Sequence, residues 1–122
     1  MNIQKINANG IGIAYVKSDD KIITDVQSAL DLMATVRYEV DCNRIILDKS
    51  AVCEEFFDLK TRLAGEILQK FINYQTKIAI IGDFSTYSSK SLKDFIYECN
   101  NGKDIFFLPD EDQAITKLRE VD

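Results

Sequence analysis

Residues 58–83 read DLKTRLAGEILQKFINYQTKIAIIGD, and this stretch decides the fold. Its first half places Leu63, Ile67 and Phe71 on one stripe, with Ala64, Leu68 and Ile72 beside it. The i, i+3, i+4 spacing predicts a helix over Leu59–Asn73 with one wide buried face. Asp58 is its expected N-cap, since a carboxylate accepts from the free amides of a first turn. The second half, Thr76–Gly82, carries no polar residue between Lys77 and Gly82. A strand apolar on both faces is covered on both, which makes it a central strand among parallel neighbours.

Upstream, two alternating segments, Asn2–Asn7 and Ile11–Val16, flank Asn9-Gly10. Asn-Gly supplies the positive φ angles of a tight turn, so the pair is read as an antiparallel hairpin. The polar run KSDDK, ending at Lys21, is a surface loop. A helix then opens at Thr24, where Thr24 and Gln27 form a capping-box pattern, and continues through Val26, Ala29, Leu30, Met33 and Val36 to about Tyr38. After a polar connection, Glu39–Asn43, Arg44–Asp48 (RIILD) is an apolar strand. In the irregular Ser50–Phe57 segment, Ser50 is read as capping one turn through Glu54, with Phe56 and Phe57 as anchors.

Downstream, the loop Asp83–Lys90 is rich in hydroxyl groups and leads into a helix capped by Ser88 or Ser89. Leu92, Phe95, Ile96 and Cys99 share one face of that helix, and Asn100-Asn101-Gly102 ends it because Asn and Gly tolerate the left-handed conformation. Asp104–Leu108 is the last strand, Pro109-Asp110 breaks it, and Asp110 with Gln113 starts a final helix through Ala114, Ile115 and Leu118. The expected fold is α/β: one domain over residues 1–122 with a single mixed five-stranded sheet and element order ββαβαβαβα. Right-handed crossovers between sequential strands put successive helices on one face. Because RIILD, KIAIIG and DIFFL are apolar on both faces, either a helix reaches the second face or another subunit covers it; a homodimer is expected.

Composition excludes several classes. The chain has 122 residues, 20 of them acidic, and a net charge of −5, with no basic stripe, which argues against nucleic-acid binding and against docking on an anionic membrane. No apolar run reaches the ~18 residues of a membrane helix, and the N-terminus MNIQKINANG shows no secretory pattern. Cys42, Cys53 and Cys99 are widely spaced, form no CxxC pair and have no histidine to join them in a zinc site. Free thiols in a reducing cytoplasm are expected. Without histidine the Ser-His-Asp and Cys-His arrangements are impossible, so acid–base work would fall to a carboxylate, lysine or tyrosine.

Ligands of parallel α/β sheets sit beyond the carboxyl ends of the strands. That edge gathers Asp48, Lys49 and Ser50, then Asp83, Ser85 and Tyr87, then Asp110 and Glu111. Three strand-end aspartates have the oxygen chemistry for Mg²⁺, but aspartate is also the common turn and cap residue, and no metal or cofactor is expected. Asp83–Lys90 is the leading candidate, with Asp83, Phe84, Ser85, Tyr87, Ser88, Ser89 and Lys90 as its residues; its serines and the helix amides suit a phosphate or carboxylate. It has no P-loop pattern. Phe84, in a polar loop, is expected to be exposed and to mark a contact surface. Lys60, Arg62, Glu66 and Lys70 read as a solvated helix face, with Glu66 and Lys70 in the favourable i, i+4 order.

DLKTRLAGEILQKFINY and IAIIGDFSTYSSKSLKDFIYECNNG, with DVQSALDLMATV upstream, resemble an uncharacterised bacterial family known only as a domain of unknown function. The resemblance implies a small stand-alone cytosolic protein and assigns no activity. The element order is also similar to that of STAS domains, found in sulfate transporters and anti-sigma-factor antagonists. IILDKSAV resembles the STAS strand that ends in an aspartate before its key loop. The STAS phosphorylated serine would correspond to Thr61, with Asp58 as the aspartate before it; no hydroxyl directly follows Asp58, and the small residues come only at Ala64-Gly65. These readings together point to a non-catalytic binding or regulatory module that recognises a protein partner or a small anionic ligand. The alternative is a small enzyme or phosphoacceptor using Asp48, Asp83 and Thr61.

Overall fold

A computed structural model describes residues 1–122. The elements are β1 (Asn2–Ala8), β2 (Ile11–Lys17), α1 (Val26–Val40), β3 (Arg44–Asp48), α2 (Leu63–Asn73), β4 (Lys77–Ile81), α3 (Lys90–Asn100), β5 (Ile105–Leu108) and α4 (Glu111–Glu120). Three 3₁₀ turns, Lys49–Ala51, Glu54–Phe57 and Leu59–Thr61, fill the path from β3 to α2. The order ββαβαβαβα is therefore as expected, in one mixed five-stranded sheet ordered β1-β2-β3-β4-β5.

The β1–β2 hairpin is antiparallel and every later pairing is parallel. Asn9 and Gly10 take φ of 55° and 88°, and the Asn7 side chain accepts from the Gly10 amide at 2.9 Å. The register joins Ile45 to Ile78 and Leu47 to Ile80, and Ile78 to Ile105 and Ile80 to Phe107. These residues face one way, against α1, α2 and α3. The larger core lies there, with Phe56, Ile67 and Phe71 fully buried over Leu47, Ile78 and Ile80. Ile13, Tyr15, Ile46, Ala79, Ile81 and Phe106 face the other way, where Ala114 and Leu118 of α4 cover them. Of the two ways to bury the second face, the chain's own last helix thus supplies one. Arg44, at the start of β3, holds that helix in place: its guanidinium donates to the Leu118 carbonyl and, at 2.7 Å, to that of Val121. A cation on the last carbonyls of a helix also complements its dipole.

Several local expectations are corrected. The helix predicted over Leu59–Asn73 is broken, because Arg62 adopts a left-handed φ of 64° and separates the Leu59–Thr61 turn from α2. Asp58 caps that short turn, accepting from the Lys60 amide at 3.2 Å, and not α2. A left-handed non-glycine residue costs about 1–2 kcal/mol. The reversal accompanies burial of Phe56 and Phe57, which anchor the preceding turn in the core. At α1 the capping box is Asp25 with Ser28 in place of Thr24 with Gln27; the Asp25 carboxylate accepts from the Ser28 amide at 2.7 Å, and the Ser28 hydroxyl accepts from the Asp25 amide. Gln27 instead donates to Asp31 one turn on. Ser50 caps nothing: it sits inside the Lys49–Ala51 turn, which starts from Asp48. Ile72 is 45% exposed, since it lies on the solvent side of the Ile67–Phe71 stripe. Glu66 and Lys70 are not among the ion pairs, which are Lys77–Asp104, Lys90–Asp94 and Arg119–Glu120.

The two neighbours at the end of α2 separate core from surface. Phe71→Ala is expected to lower stability by about 3–5 kcal/mol through the cavity it leaves. Ile72→Ala should stay within about 1 kcal/mol. Urea unfolding of both variants measures the difference, and comparable losses would contradict the packing described.

Candidate functional site

The carboxyl ends of β3, β4 and β5 each stop in a loop whose side chains are engaged with one another. After β3, Asp48 accepts from the Tyr15 hydroxyl at 2.7 Å. Burial, and then this bond and the Asp48 charge, push the Tyr15 phenol well above the ordinary tyrosine value. The next residue, Lys49, turns toward β4. Its stem crosses Gly82, where a Cβ would lie 2.7 Å from Lys49 Cβ, so only glycine lets the two strand ends approach this closely. Lys49 Nζ then donates to the Asp83 carbonyl at 3.1 Å and lies 4.6 Å from the centre of the Tyr87 ring and 5.9 Å from that of Phe84.

The loop after β4 is folded on itself around this lysine. The Asp83 carboxylate accepts from the Ser85 amide at 2.9 Å and from its hydroxyl at 2.6 Å. These two bonds hold Asp83 below the usual carboxylate range. Tyr87 stacks on Phe57, with ring centres 5.3 Å apart, and its hydroxyl donates to Glu54 at 3.2 Å. Burial first, then the Glu54 charge, raise its phenol to about 12. Phe84, expected to be exposed, is half-buried: it packs edge-on against Phe107 and tilted on Phe57. A polar neighbourhood in sequence gave no sign that the loop folds back onto an aromatic floor.

The predicted residues do not all meet. Asp83 and Phe84 border an open cleft of about 420 Å³ with Gly82, Ile96, Phe107 and Leu108. Asp48 and Ser50 border a separate one of about 530 Å³ beside Asn2, Lys17 and Asp19. Ser89 caps α3, accepting from the Leu92 amide at 3.2 Å, and Ser88 is exposed beside it. Lys90 pairs with Asp94 one helical turn along, at 2.8 Å. Asp110 caps α4, accepting from the Gln113 amide at 2.9 Å, and Glu111 opens that helix. The three strand-end aspartates are thus turn, cap and tyrosine partners, and no group of three potential ligand side chains gathers around one point.

Thr61 lies outside both clefts. It ends the 3₁₀ turn ahead of α2, not the first turn of the helix; its exposed hydroxyl donates to the Asp58 and Glu55 carbonyls and accepts from the Leu63 amide at 3.2 Å. The sequence pattern does not single out Tyr15, Glu54 or Gly82, and it places Lys49 only as a neighbour of Asp48. Gly82 was the available signal, since a glycine closing a buried strand marks a close approach.

Tyr87 provides a pH test. A phenol whose value is raised in the fold contributes stability that is complete below the unfolded value of about 10. That contribution is lost as the pH rises through the folded value of about 12. Tyr87→Phe should therefore flatten the alkaline decline of Tm across this window and remove one late step from the tyrosinate absorbance titration. An unchanged alkaline decline would mean that Tyr87 ionises as freely folded as unfolded.

Comparison with known proteins adds one assignment. No curated protein and no solved structure matches the chain. No helix is long and apolar enough to cross a membrane. Residues 8–118 match a family model described as a domain of unknown function (DUF4180), and the chain belongs to that family.

Proposed function

We propose that the chain is a non-catalytic binding and regulatory module of the bacterial cytosol, which recognises an anionic group carried by a small ligand or by a protein partner. The recognition surface is the end of β3 and β4, from Lys49 across Asp83–Ser89. The observation that carries the reading is the placement of Lys49. One of its three N–H donors is given to the Asp83 carbonyl, while the aromatic faces of Tyr87 and Phe84 steady the cation. The ammonium is held in position with donors to spare.

Titration behaviour supports binding over catalysis. A general acid or base works best with a value near the operating pH. Here the shifted groups move the other way: Asp83 is held ionised, and Tyr15 and Tyr87 are held neutral. Burial likewise raises Cys42, Cys53 and Cys99, which favours the protonated thiols and fits unpaired cysteines in a reducing compartment. The STAS-like reading of the topology is compatible with such a regulatory role.

Inorganic phosphate is the probe. Amide chemical shifts of Gly82–Ser89 should move saturably with phosphate, and Lys49→Met should weaken the response at least about tenfold, the loss of one charge-assisted contact of 1.5–3 kcal/mol. Shifts that are absent, or equal in the Lys49→Met protein, would overturn the assignment of Lys49 as the anion contact.

A further inference from the structure

The two edges of the sheet are finished differently. At β5 the outward backbone of Phe107 is occupied: the Asn100 side chain donates to its carbonyl at 3.0 Å and accepts from its amide at 2.7 Å, as a neighbouring strand would. At β1 nothing plays that part. The strand is seven residues long, NIQKINA, with no proline and one charge. Ala8 and Ile11 close a two-residue turn as a hydrogen-bonded pair, so Ile6, Gln4 and Asn2 also direct their amides and carbonyls to β2. Ile3, Lys5 and Asn7 direct theirs outward.

Lysine at an edge is a common guard against strand pairing. Lys5 does not act so here, because its stem lies back over β2: a Cβ on Gly12 would meet Lys5 Cε at 3.3 Å and Cys42 Sγ at 3.2 Å. On the opposite face, α4 centres on β4 and reaches toward β2, leaving Ile6 and Ile11 half-buried at the hairpin. The free backbone therefore adjoins incompletely covered apolar side chains.

We infer that β1 pairs antiparallel with β1 of a second copy of this chain, continuing the sheet across a two-fold axis at Ile6. Symmetry about an axis normal to the sheet limits the choices, since side chains facing each other must come from the same face. Centring on Lys5 sets lysine against lysine, and like charges directly opposite are destabilising. Centring on Gln4 sets Ile6 against Asn2 and Ile3 against Lys5. Centring on Ile6 sets isoleucine against isoleucine on the α4 face and Lys5 against Asn7 on the other, where both residues have free backbone groups. Of the registers that pair five or more residues of Asn2–Ala8, that one alone joins apolar to apolar and keeps the lysines from facing each other. The inference uses a surface separate from the Lys49 loop and stands or falls apart from it.

Sedimentation equilibrium of the full chain should give a dimer, twice the 13.9 kDa chain mass. Lys5→Pro removes an amide that points outward and is not used by β2; it should sediment as a monomer with unchanged far-UV circular dichroism. Facing residues of a non-hydrogen-bonded pair have Cα atoms about 4.5 Å apart, within the reach of a disulfide. In a Cys99→Ser background, Ile6→Cys should therefore cross-link two chains under oxidised glutathione, and Lys5→Cys should not. A monomer at every concentration overturns the proposal, as does a dimer that survives Lys5→Pro and fails to cross-link through Ile6→Cys. Cross-linking through Lys5→Cys alone overturns the register. Should Lys5→Pro lose its circular dichroism signal, the cross-linking pair decides.

Discussion

Strands laid down side by side in chain order, joined by right-handed crossovers, can place their connecting helices on one face only. The placement of all four helices follows from that constraint. α1 and α2 are crossover helices between parallel strands, and α3 links β4 to β5, so all three stand on the same side. The sheet is nonetheless apolar on both sides, because Ile46, Ala79, Ile81 and Phe106 face away from these helices. Only an element with no following strand is free to cross beneath. α4 is that element, and Arg44 holds its end in place by binding the carbonyls of Leu118 and Val121. The sheet thus carries three helices on one side and one on the other.

The sheet and its order were legible because they depend on periodicity and on Asn9-Gly10, which are strong local signals. The details that escaped depend on contacts distant in sequence. Arg62 carries no mark of left-handed backbone; it takes that conformation where the chain passes from the buried Phe56-Phe57 turn into α2. Thr24 and Asp25 are adjacent and both are good caps, so pattern alone could not rank them. Ile72 belongs to the apolar stripe by spacing, yet one step around the helix decides whether a side chain meets the sheet or water. At the site, Asp83 and Tyr87 were visible as a strand end and a loop. Their dependence on Lys49 was not, because it arises from the parallel pairing of β3 with β4, which sets Asp48 opposite Ile81 and Lys49 over Gly82.

The strand-end loop is held by several weak contacts rather than one strong one. Stacking on Phe57, a phenol–carboxylate bond to Glu54, an Asp83–Ser85 turn and the lysine over two rings all act on eight residues or fewer. Acting together, these contacts leave the loop with one defined surface.

The Asn100 amide that occupies the β5 edge has a consequence for growth. An open sheet with two free edges can add copies head to tail without end, and such contacts build filaments. Here the outward amide and carbonyl of Phe107, in the middle of the other edge, are taken up within the chain by a single side chain. A strand added there would have to displace Asn100, whereas the pairing inferred at β1 displaces nothing and, being symmetric, uses that edge up. The same small device that occupies Phe107 therefore weighs against open-ended growth through this sheet.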